Sequence, residues 1–405
     1  MLDLTKLAGQ MQGISEHLTQ EAIAARKRLE LAQKFLNEAI GRQPELVTQQ
    51  QQWRDRIWFT AAEPVEPLST RVQLSPPPAT HTVLATDGSQ IAPNHHEIAY
   101  CYLINVGRVV LHYGQSRHPL LDSLPEVFYR PEDLYESRQW GIRTEEWMGY
   151  RRAVSEATVL ADLAVKERVP KPKNTVPILA MVDGSLIYWF LDGLPHDARD
   201  RILLPILEAW NQLRLAGVPL MGYLSASRSS EAINFLRLQA CPYPEPNCNT
   251  HCPYTGFLET SGKPKRAPCQ VFDPLRDTVL WSVLLEPGQR GPLWRSASPI
   301  LQLYGENQQM YFCHVHVGTE IARIDLPAWV AEDSQLLDTS LSLMLGQVQK
   351  GYGYPVSLAE SHNQAVVRGG DRHRFFALLE QQMIRSGLKN VGTSYKETRK
   401  RGSIA

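Results

Sequence analysis

A chain of 405 residues can form one large domain or two ordinary ones, and 43% hydrophobic with 21% charged residues suits a soluble globular protein with a substantial core. Its 42 basic and 42 acidic residues cancel, so a polyanion such as DNA would have to be held by a local basic patch. No apolar run approaches the roughly 18 residues needed to span a bilayer, and the start MLDLTKLAGQMQG lacks the features of a secretory signal. We therefore expect a cytoplasmic protein without a membrane partner.

Residues 1–62 are predicted to form an N-terminal helical segment. Apolar residues near the start recur at spacings of three and four, which places them on one face of a helix. They are Leu4, Leu7, Met11, Ile14 and Leu18. A second run, from Glu21 to Ile40, is rich in helix-forming residues. The two runs predict a helical hairpin or a short coiled coil, whose apolar seam would pack on its own domain, form a dimer or bind a partner.

Residues 63–81 are predicted to be an extended Pro-rich linker, since five prolines fall in this segment. Three β-rich runs follow, and a hairpin-like turn at Gly107 and Arg108 is expected to join the last two. The runs are 82–86, 98–106 and 108–114.

The rest of the chain alternates helices and strands. Helices are predicted at 144–168, 197–216, 229–239, 333–350, 356–367 and 371–386. Strands are predicted in VPILAMV (176–182) and VPLMGYL (218–224), and later in TVLWSVLLE, MYFCHVHV and ARIDLPAWV. Residues 241–275 read as an irregular Cys-rich insertion, and 389–405 as a loose basic tail. Antiparallel strands followed by crossover helices predict a mixed sheet in an α/β domain at 82–388.

The tripeptide Asp-Gly-Ser occurs twice, and an apolar run precedes each copy. The first copy lies in VLATDGSQIA and contains Asp87, and the second lies in ILAMVDGSLIYWF and contains Asp183. Asp-Gly is a common turn dipeptide, so either copy alone could be an ordinary structural turn. At the ends of two strands, however, both aspartates would lie where ligand crevices form in α/β sheets.

The helix predicted between the two copies can supply a third carboxylate. If the two strands are neighbours in the sheet, a helix that packs across them can bring one of its glutamates towards Asp87 and Asp183. The candidates are Glu145, Glu146, Glu156 and Glu167. Like charges a few ångströms apart repel, so such a cluster predicts bound divalent cations. Mn²⁺ or Mg²⁺ in pairs would suit the displacement of a phosphoryl oxygen.

Four stretches of the sequence resemble the NurA family of DNA end-processing nucleases, and the predicted layout resembles the ribonuclease H-like fold. They are TDGSQ at 86–90, VDGSL at 182–186, ARIDLPAW at 322–329 and GYPVSLAESHNQAVV at 353–367. The last is the most specific, since the family pattern is Tyr-Pro, then Leu, then a helix with Ala or Ser before His. The resemblance spans about residues 80–370 and implies a metal-dependent nuclease of DNA end resection and repair.

The resemblance implies metal-binding carboxylates at Asp87 and Asp183, with a glutamate of the crossover helix completing the site. We prefer Glu156, which lies in mid-helix one turn after Arg152. Glu167, which is nearer in sequence to Asp183 but falls at the helix end, is the alternative.

The resemblance also implies site roles for Tyr354 and His362. Without it, a lone histidine on a late helix is more often a surface or core residue. As a neutral imidazole His362 could bind metal, and in its protonated form it could stabilise phosphate charge. Tyr354 could position a phosphate or a water molecule, or simply pack.

A hydroxyl-rich stretch, GYLSASRSSEA at 222–232, joins a predicted strand to a helix. Ser225, Ser227 and Arg228 could hold a DNA phosphate at the N-terminus of that helix. The alternative is a serine N-cap that binds no ligand.

Four cysteines with His251 among them fall in the Cys-rich segment. They are Cys241, Cys248, Cys252 and Cys269. In a reducing compartment they suggest a metal site, with zinc or an iron–sulfur cluster as the metal. The spacing is not the paired Cys-x-x-Cys of zinc ribbons, so loose thiols or a redox disulfide stay open. Cys101 and Cys313 lie in β-rich runs and are predicted to be buried small hydrophobes.

Taken together, these features predict a metal-dependent nuclease that acts as a single-strand endonuclease, a 5′–3′ exonuclease or both. The resemblance further implies a HerA-type hexameric ATPase as partner and a homodimer. Two alternatives stay open. One is a catalytically inactive DNA-binding or adaptor subunit of a repair complex, and the other is an actin-like ATPase, for which no Gly-rich adenosine-binding motif is present.

Overall fold

A computed structural model describes residues 3–93, 99–168, 176–258 and 264–387, so the predicted basic tail at 389–405 lies outside the described residues. The described helices are α1 Leu4–Ile40, α2 Gln43–Trp53, α3 Pro131–Tyr135, α4 Thr144–Arg168, α5 His196–Leu215, α6 Glu231–Ala240, α7 Cys248–His251, α8 Asp277–Trp281, α9 Ala328–Ala331, α10 Ser334–Lys350, α11 Val356–Ala365 and α12 Gly369–Arg385. The described strands are β1 Glu63–Pro64, β2 Val72–Gln73, β3 His81–Ile91, β4 Tyr102–Tyr113, β5 Leu120–Phe128, β6 Ile178–Asp183, β7 Leu220–Leu224, β8 Gln289–Arg290, β9 Trp294–Arg295, β10 Met310–His316 and β11 Ile321–Pro327. None of these helices has the length and apolar character needed to cross a membrane.

The chain folds into two compact units, and each is assembled from two separate segments. The first unit comprises Met1–Leu74 and Tyr223–Ala328, and the second comprises Ser75–Gly222 and Trp329–Ala405. The sequence predicts a helical segment, a linker and one continuous domain in that order. It does not predict that each unit is built from two separate segments.

The second unit contains a mixed sheet with the strand order β7-β6-β3-β4-β5. Strand β6 runs parallel to β3, whereas β4 is antiparallel to both β3 and β5. The parallel pair is connected through α4, as expected for a crossover helix. The predicted mixed sheet flanked by helices is therefore confirmed, and α4 has the predicted bounds.

Two turns predicted in the second unit are wrong. Strand β4 passes straight through Gly107 and Arg108, and β3 continues beyond Asp87 to pair with β4 along its whole length. Gly88 and Gly107, the glycines of these two stretches, instead allow helices to pack closely against the strands. A Cβ at Gly107 would collide with the backbone of Ser361 and Ala365 in α11. The second Asp-Gly-Ser does form the predicted turn, because β6 ends at Asp183 and the next glycine has a φ of +109°.

The first unit has its own set of strands, in the order β1-β9-β10-β11, with β8 beside β10 and β2 beside β8. The segment predicted to be a linker is extended, but it is fixed here because β1 and β2 both pair with other strands. The Glu66 carboxylate also accepts two hydrogen bonds, of 2.6 and 2.9 Å, from the buried Arg290 guanidinium. The strand predicted in TVLWSVLLE is wrong, since this run contains helix α8.

Helix α1 is a single helix of 37 residues, so the hairpin predicted within residues 2–40 is wrong. Its second half packs into the core of the first unit through Ala32, Leu36 and Ala39, which are all buried. Its first half carries the predicted apolar seam, which stays largely exposed: Leu4 is 67% and Leu18 is 60% accessible.

Gly107→Ala is expected to lower the free energy of unfolding by about 1–3 kcal/mol, the usual cost of forcing extra volume into a packed interior. The control is Gly149→Ala in α4, where a Cβ would meet no atom within 4 Å. That change should stabilise the protein by about 0.5–1 kcal/mol, since alanine is the better helix former. Chemical denaturation measures both, and an unchanged stability of Gly107→Ala would contradict the packing described for α11.

Candidate active site

The parallel pairing of β3 with β6 places Asp87 and Asp183 next to each other. The last register pair of the two strands is Thr86 with Val182, and each aspartate is the following residue. Neighbouring strands lie about 4.8 Å apart. Two carboxylates are thus held at the same edge of the sheet by backbone hydrogen bonds rather than by their own side chains.

Each residue of the stretch Thr86-Asp87-Gly88-Ser89 contacts a helix. The Thr86 hydroxyl donates to the backbone carbonyl of Glu156 in α4 at 3.0 Å, and the Ser89 hydroxyl donates to the carbonyl of Ala365 in α11. Successive side chains of a strand point to opposite faces of a sheet. The stretch therefore fixes α4 on one face and α11 on the other.

Glu156 supplies the third carboxylate. A Cβ at Gly88 would collide with the side chains of Glu156 and Arg152, so only glycine allows this close approach. The Oε1 atom of Glu156 lies 3.2 Å from Nε of Arg152, but it is buried and accepts no aligned hydrogen bond from the described residues.

The pKa of Glu156 is raised from 4.5 to about 7, chiefly because the carboxyl is buried. The positive charge of Arg152 lowers this pKa, while the negative charges of Asp87 and Asp183 raise it. The three carboxylates therefore interact with one another, and Arg152 compensates only part of their mutual repulsion.

Asp183 and Tyr354 form the second contact of the site. Although Asp183 as a residue is solvent-exposed, partial burial of its carboxyl is the main factor that raises its pKa. A hydrogen bond with the Tyr354 side chain and the charge of His362 both lower the pKa of Asp183. The negative charge of Asp87 raises it. Tyr354 precedes Pro355, which caps α11, so the start of this helix positions the phenol.

His362 contacts the first aspartate. Its Nδ1 lies 2.7 Å from Oδ2 of Asp87, and 65% of the imidazole is exposed. The hydrogen bond leaves Nε2 as the ring nitrogen that can meet a substrate. The amide of Asn105 donates to the carbonyls of Ala365 and Gln364 at 2.7 and 3.3 Å, which fixes the end of α11.

The structure decides between the two predicted glutamates. Glu167 forms a two-bond ion pair with Arg117, at 2.6 and 2.9 Å, and the pKa shifts of the site record no contribution from it. The crossover helix therefore brings Glu156 to the aspartates. The structure brings Asp87, Glu156, Asp183, Tyr354 and His362 together at one edge of the sheet.

The donor set suits a hard divalent cation, because it consists of three carboxylates and an imidazole. The unpartnered Oε1 of Glu156 is a further sign of missing positive charge, and so is the charge of Asp87, which adds to burial in raising the pKa of both Glu156 and Asp183. Across the described ranges, no three or more His, Cys, Asp or Glu side chains are already grouped as metal ligands. Metal binding would therefore require these side chains to move.

The stretch with Ser225 and Arg228 has a different environment, in the first unit. The Ser225 hydroxyl and the Ala226 amide both donate to the Glu320 carboxylate, at 2.8 and 2.9 Å. The N-terminus of α6 is likewise occupied by a carboxylate, since Asp277 accepts the amides of its first turn. Arg228 is exposed. The Ser225 hydroxyl and the helix N-terminus therefore already bind carboxylates, whereas the buried Ser227 accepts the Ser229 amide. A contact of Ser227 or Arg228 with a DNA phosphate stays a prediction.

The four cysteines of the Cys-rich segment line one small cavity, here called the thiol cavity. Its volume is about 10 Å³, and Phe59, Arg237 and His251 also line it. All six cysteines of the chain are free thiols, and Cys101 and Cys313 are buried as predicted. Burial raises the pKa of Cys241 and of Cys252, and charge on the neighbouring thiols would raise it further.

Sequence reasoning missed the residues that hold the site together. Thr86 and Ser89 lie within the quoted motif, but their neighbours in space are 70 and 276 positions away. The signal that could have revealed them is the alternation of side chains in a strand, which is hidden once the motif is taken as a turn. Asn105 carries no local signal of its role.

The site lies on a mixed sheet flanked by helices, with two aspartates on neighbouring parallel strands and a glutamate on the crossover helix, which defines an α/β protein. The NurA domain model matches residues 81–367, well over half of the sequence. The chain therefore belongs to the NurA family.

One solved structure shares this fold over nearly its whole length. The chain is similar to the NurA nuclease from Sulfolobus solfataricus, with a TM-score of 0.52 and 12% sequence identity over 95% of this chain and 98% of that chain. A second match is LC9-RNase H1, a type 1 RNase H with the type 2 active-site motif. Its TM-score is 0.21 and its identity 10%, over 40% of this chain and 72% of that chain. No curated protein matches the sequence.

Glu156→Gln is expected to stabilise the metal-free protein at alkaline pH. A carboxyl whose pKa rises on folding binds its proton more tightly in the folded state, so stability falls as pH rises from about 4.5 to 7. The glutamine cannot ionise, and at about pH 8 its free energy of unfolding should be about 1–3 kcal/mol higher than that of the wild type.

Denaturant titrations in EDTA at several pH values measure this difference, which should vanish at about pH 4. Glu145→Gln, on the exposed start of the same helix, should stay within about 0.5 kcal/mol of the wild type. A pH-independent effect of Glu156→Gln would exclude ionisation as its cause.

Proposed function

We propose that the chain is a divalent-metal-dependent deoxyribonuclease that hydrolyses phosphodiester bonds. The observation that carries this proposal is the convergence of Asp87, Asp183 and the buried Glu156 with too little positive charge to balance them. A structural cluster would be expected to pair its charges fully, because unpaired buried charge destabilises a fold. Membership of the NurA family and the fold shared with a NurA nuclease support the same conclusion.

The three carboxylates would hold Mn²⁺ or Mg²⁺. When bound, such ions neutralise the carboxylates, lower the pKa of a coordinated water and stabilise the leaving oxygen of a phosphodiester. Arg152 keeps Glu156 in place and tunes its charge. Tyr354 orients Asp183 through their hydrogen bond.

His362 would act on the substrate side of the cluster. Its contact with Asp87 fixes the ring, and its exposure makes the other nitrogen accessible. A histidine in this position can donate or accept a proton near neutral pH, or stabilise phosphate charge when protonated.

We further propose that the substrate is DNA, cut as single strands or from 5′ ends during end resection and repair in the cytoplasm. A HerA-type hexameric ATPase as partner and a homodimeric nuclease complete the proposal. Both follow from the family resemblance.

Asp87→Asn is expected to lower the rate of DNA cleavage at least about a hundredfold, since it removes one charge that stabilises the reaction. The measurement uses labelled single- and double-stranded DNA with Mn²⁺, Mg²⁺ or EDTA, with and without the ATPase. Asp162→Asn, at an exposed position of α4, is the matched control and should cleave at the wild-type rate. No cleavage by the wild type under any of these conditions would reject the enzyme in favour of an inactive DNA-binding subunit.

His362→Ala is expected to reduce kcat by about a hundredfold, which is typical of the loss of a proton-transferring group. KM should change little if the ring acts mainly in the transition state. His373→Ala, an exposed position on α12, provides the control. A wild-type kcat in His362→Ala would show that its contact with Asp87 is only structural.

A further inference from the structure

The local fold of the Cys-rich segment directs four thiols towards the thiol cavity. Cys241 directly follows α6, and Cys248 and Cys252 lie at the two ends of α7, four positions apart. Residues at this spacing share one face of a helix. The Asn247 side chain caps α7 by accepting the amide of Thr250.

Contacts with the N-terminal part of the first unit fix this arrangement. The amide of Cys248 donates to the carbonyl of Arg56 at 3.0 Å, and the indole of Trp58 donates to the Asn249 side chain at 2.6 Å. Farther along, Gln49 donates to the carbonyl of Pro244 at 3.1 Å. The cavity is therefore a built part of the fold, although the segment contains little regular secondary structure.

The environment of Arg237 also indicates that the thiol cavity binds a ligand. Its side chain is buried, with 9% of the residue accessible, and its Nη2 donates to Sγ of Cys269 at 3.5 Å. The guanidinium lies over the ring of Phe59 at 3.8 Å, while its Nε finds no hydrogen-bond partner. Within the described ranges, no carboxylate forms an ion pair with Arg237. A buried guanidinium is stabilised by a nearby anion, and the Cys269 thiol that it contacts becomes one when it loses its proton.

We propose that Cys241, Cys248, Cys252 and Cys269 bind a single zinc ion as thiolates, at a structural site separate from the carboxylate cluster. Four cysteines form the closed tetrahedral set of structural zinc sites. The cavity has room for about one water-sized sphere. Among the described residues no group of three or more ligands is already arranged around a metal, so the four side chains would have to close on the ion.

Binding exchanges protons for metal without a change of oxidation state. Four thiols and one Zn²⁺ give a tetrathiolate complex with a net charge of minus two, and four protons pass to solvent. Arg237 offsets part of that charge from within the cavity wall. His251 is held in a stack on Tyr243, at 4.0 Å between ring centroids, so it is assigned to packing rather than to the ligand set.

The ion would cross-link the Cys-rich segment and so stabilise its fold. Tyr254, Phe257 and Leu258 of this segment are exposed, and helix α7 has only four residues. Packing therefore contributes little to the stability of the part around α7. One ion would tie the end of α6, both ends of α7 and the turn at Cys269 together.

The test measures metal on the purified full chain, first by elemental analysis and then by titration of the metal-free, reduced protein with Co²⁺. Sulfur-to-cobalt charge-transfer absorption reports thiolate ligands only, so ions on the carboxylates do not contribute. We expect one zinc per chain, a tetrahedral tetrathiolate cobalt spectrum, and Zn²⁺ protection of the four thiols from a thiol reagent.

Cys248→Ser and Cys269→Ser should abolish the tetrathiolate spectrum, whereas Cys101→Ser and Cys313→Ser, outside the cavity, should retain it. Arg237→Met should weaken Zn²⁺ binding about tenfold, as for other groups that support metal ligands. If the ligand variants fail to fold, the spectrum and thiol protection of the wild type decide alone. Absence of both would overturn the proposal, and so would brown visible absorbance with bound iron and acid-labile sulfide.

Discussion

The repulsion among three carboxylates is the constraint around which the second unit is organised. Parallel pairing of β3 with β6 forces Asp87 and Asp183 to be neighbours, and α4 adds Glu156 from the helix layer. Backbone hydrogen bonds and helix packing hold these groups at positions that their charges oppose. Arg152 and His362 lie against Glu156 and Asp87 and offset part of the repulsion. Burial is the main reason that the pKa of Glu156 rises to about 7, and the charges of Asp87 and Asp183 raise it further.

The convergence depends on two glycines as much as on the acids. Gly88 has no side chain to displace Glu156 and Arg152, and Gly107 leaves room for the backbone of α11 on the other face of the sheet. Hydroxyl and amide side chains then fix the helices at these short separations, with Thr86 bonded to α4 and Asn105 bonded to α11. Helices held this closely can place a side chain with little conformational freedom, as a reactive site requires.

The first unit contains a second buried cluster of charged residues, which differs from the candidate site in how its acids are hydrogen-bonded. Arg323 is fully buried and donates to Asp325 and Glu231, each at 2.7 Å. Asp277 accepts two backbone amides and the Ser229 hydroxyl, and burial raises its pKa only to about 6. Here the acids accept hydrogen bonds from donors of the protein, whereas Oε1 of Glu156 accepts none from the described residues. Arg323 and Asp325 belong to ARIDLPAW, which explains why a buried strand carries charges.

Much of the candidate site was predictable because its chemistry follows local patterns. Periodic apolar residues located α4 and β6, the repeated Asp-Gly-Ser named Asp87 and Asp183, and the acidic helix between them supplied the candidate glutamates. The same local reasoning failed at Gly88 and Gly107, which short-range preferences assign to turns. Their true role is to admit α4 and α11, and the residues that need this space lie far away in sequence.

By itself, the sequence determined which side chains could form a carboxylate cluster, since the types and spacing of residues are properties of a local segment. It also determined that four thiols occur close together along the chain. Only the tertiary structure decided that Glu156 rather than Glu167 joins the aspartates, that His362 contacts Asp87, and that the four thiols share one cavity with Arg237. These outcomes depend on strand register and helix packing, which are set by contacts between distant segments and are not encoded in any single one of them.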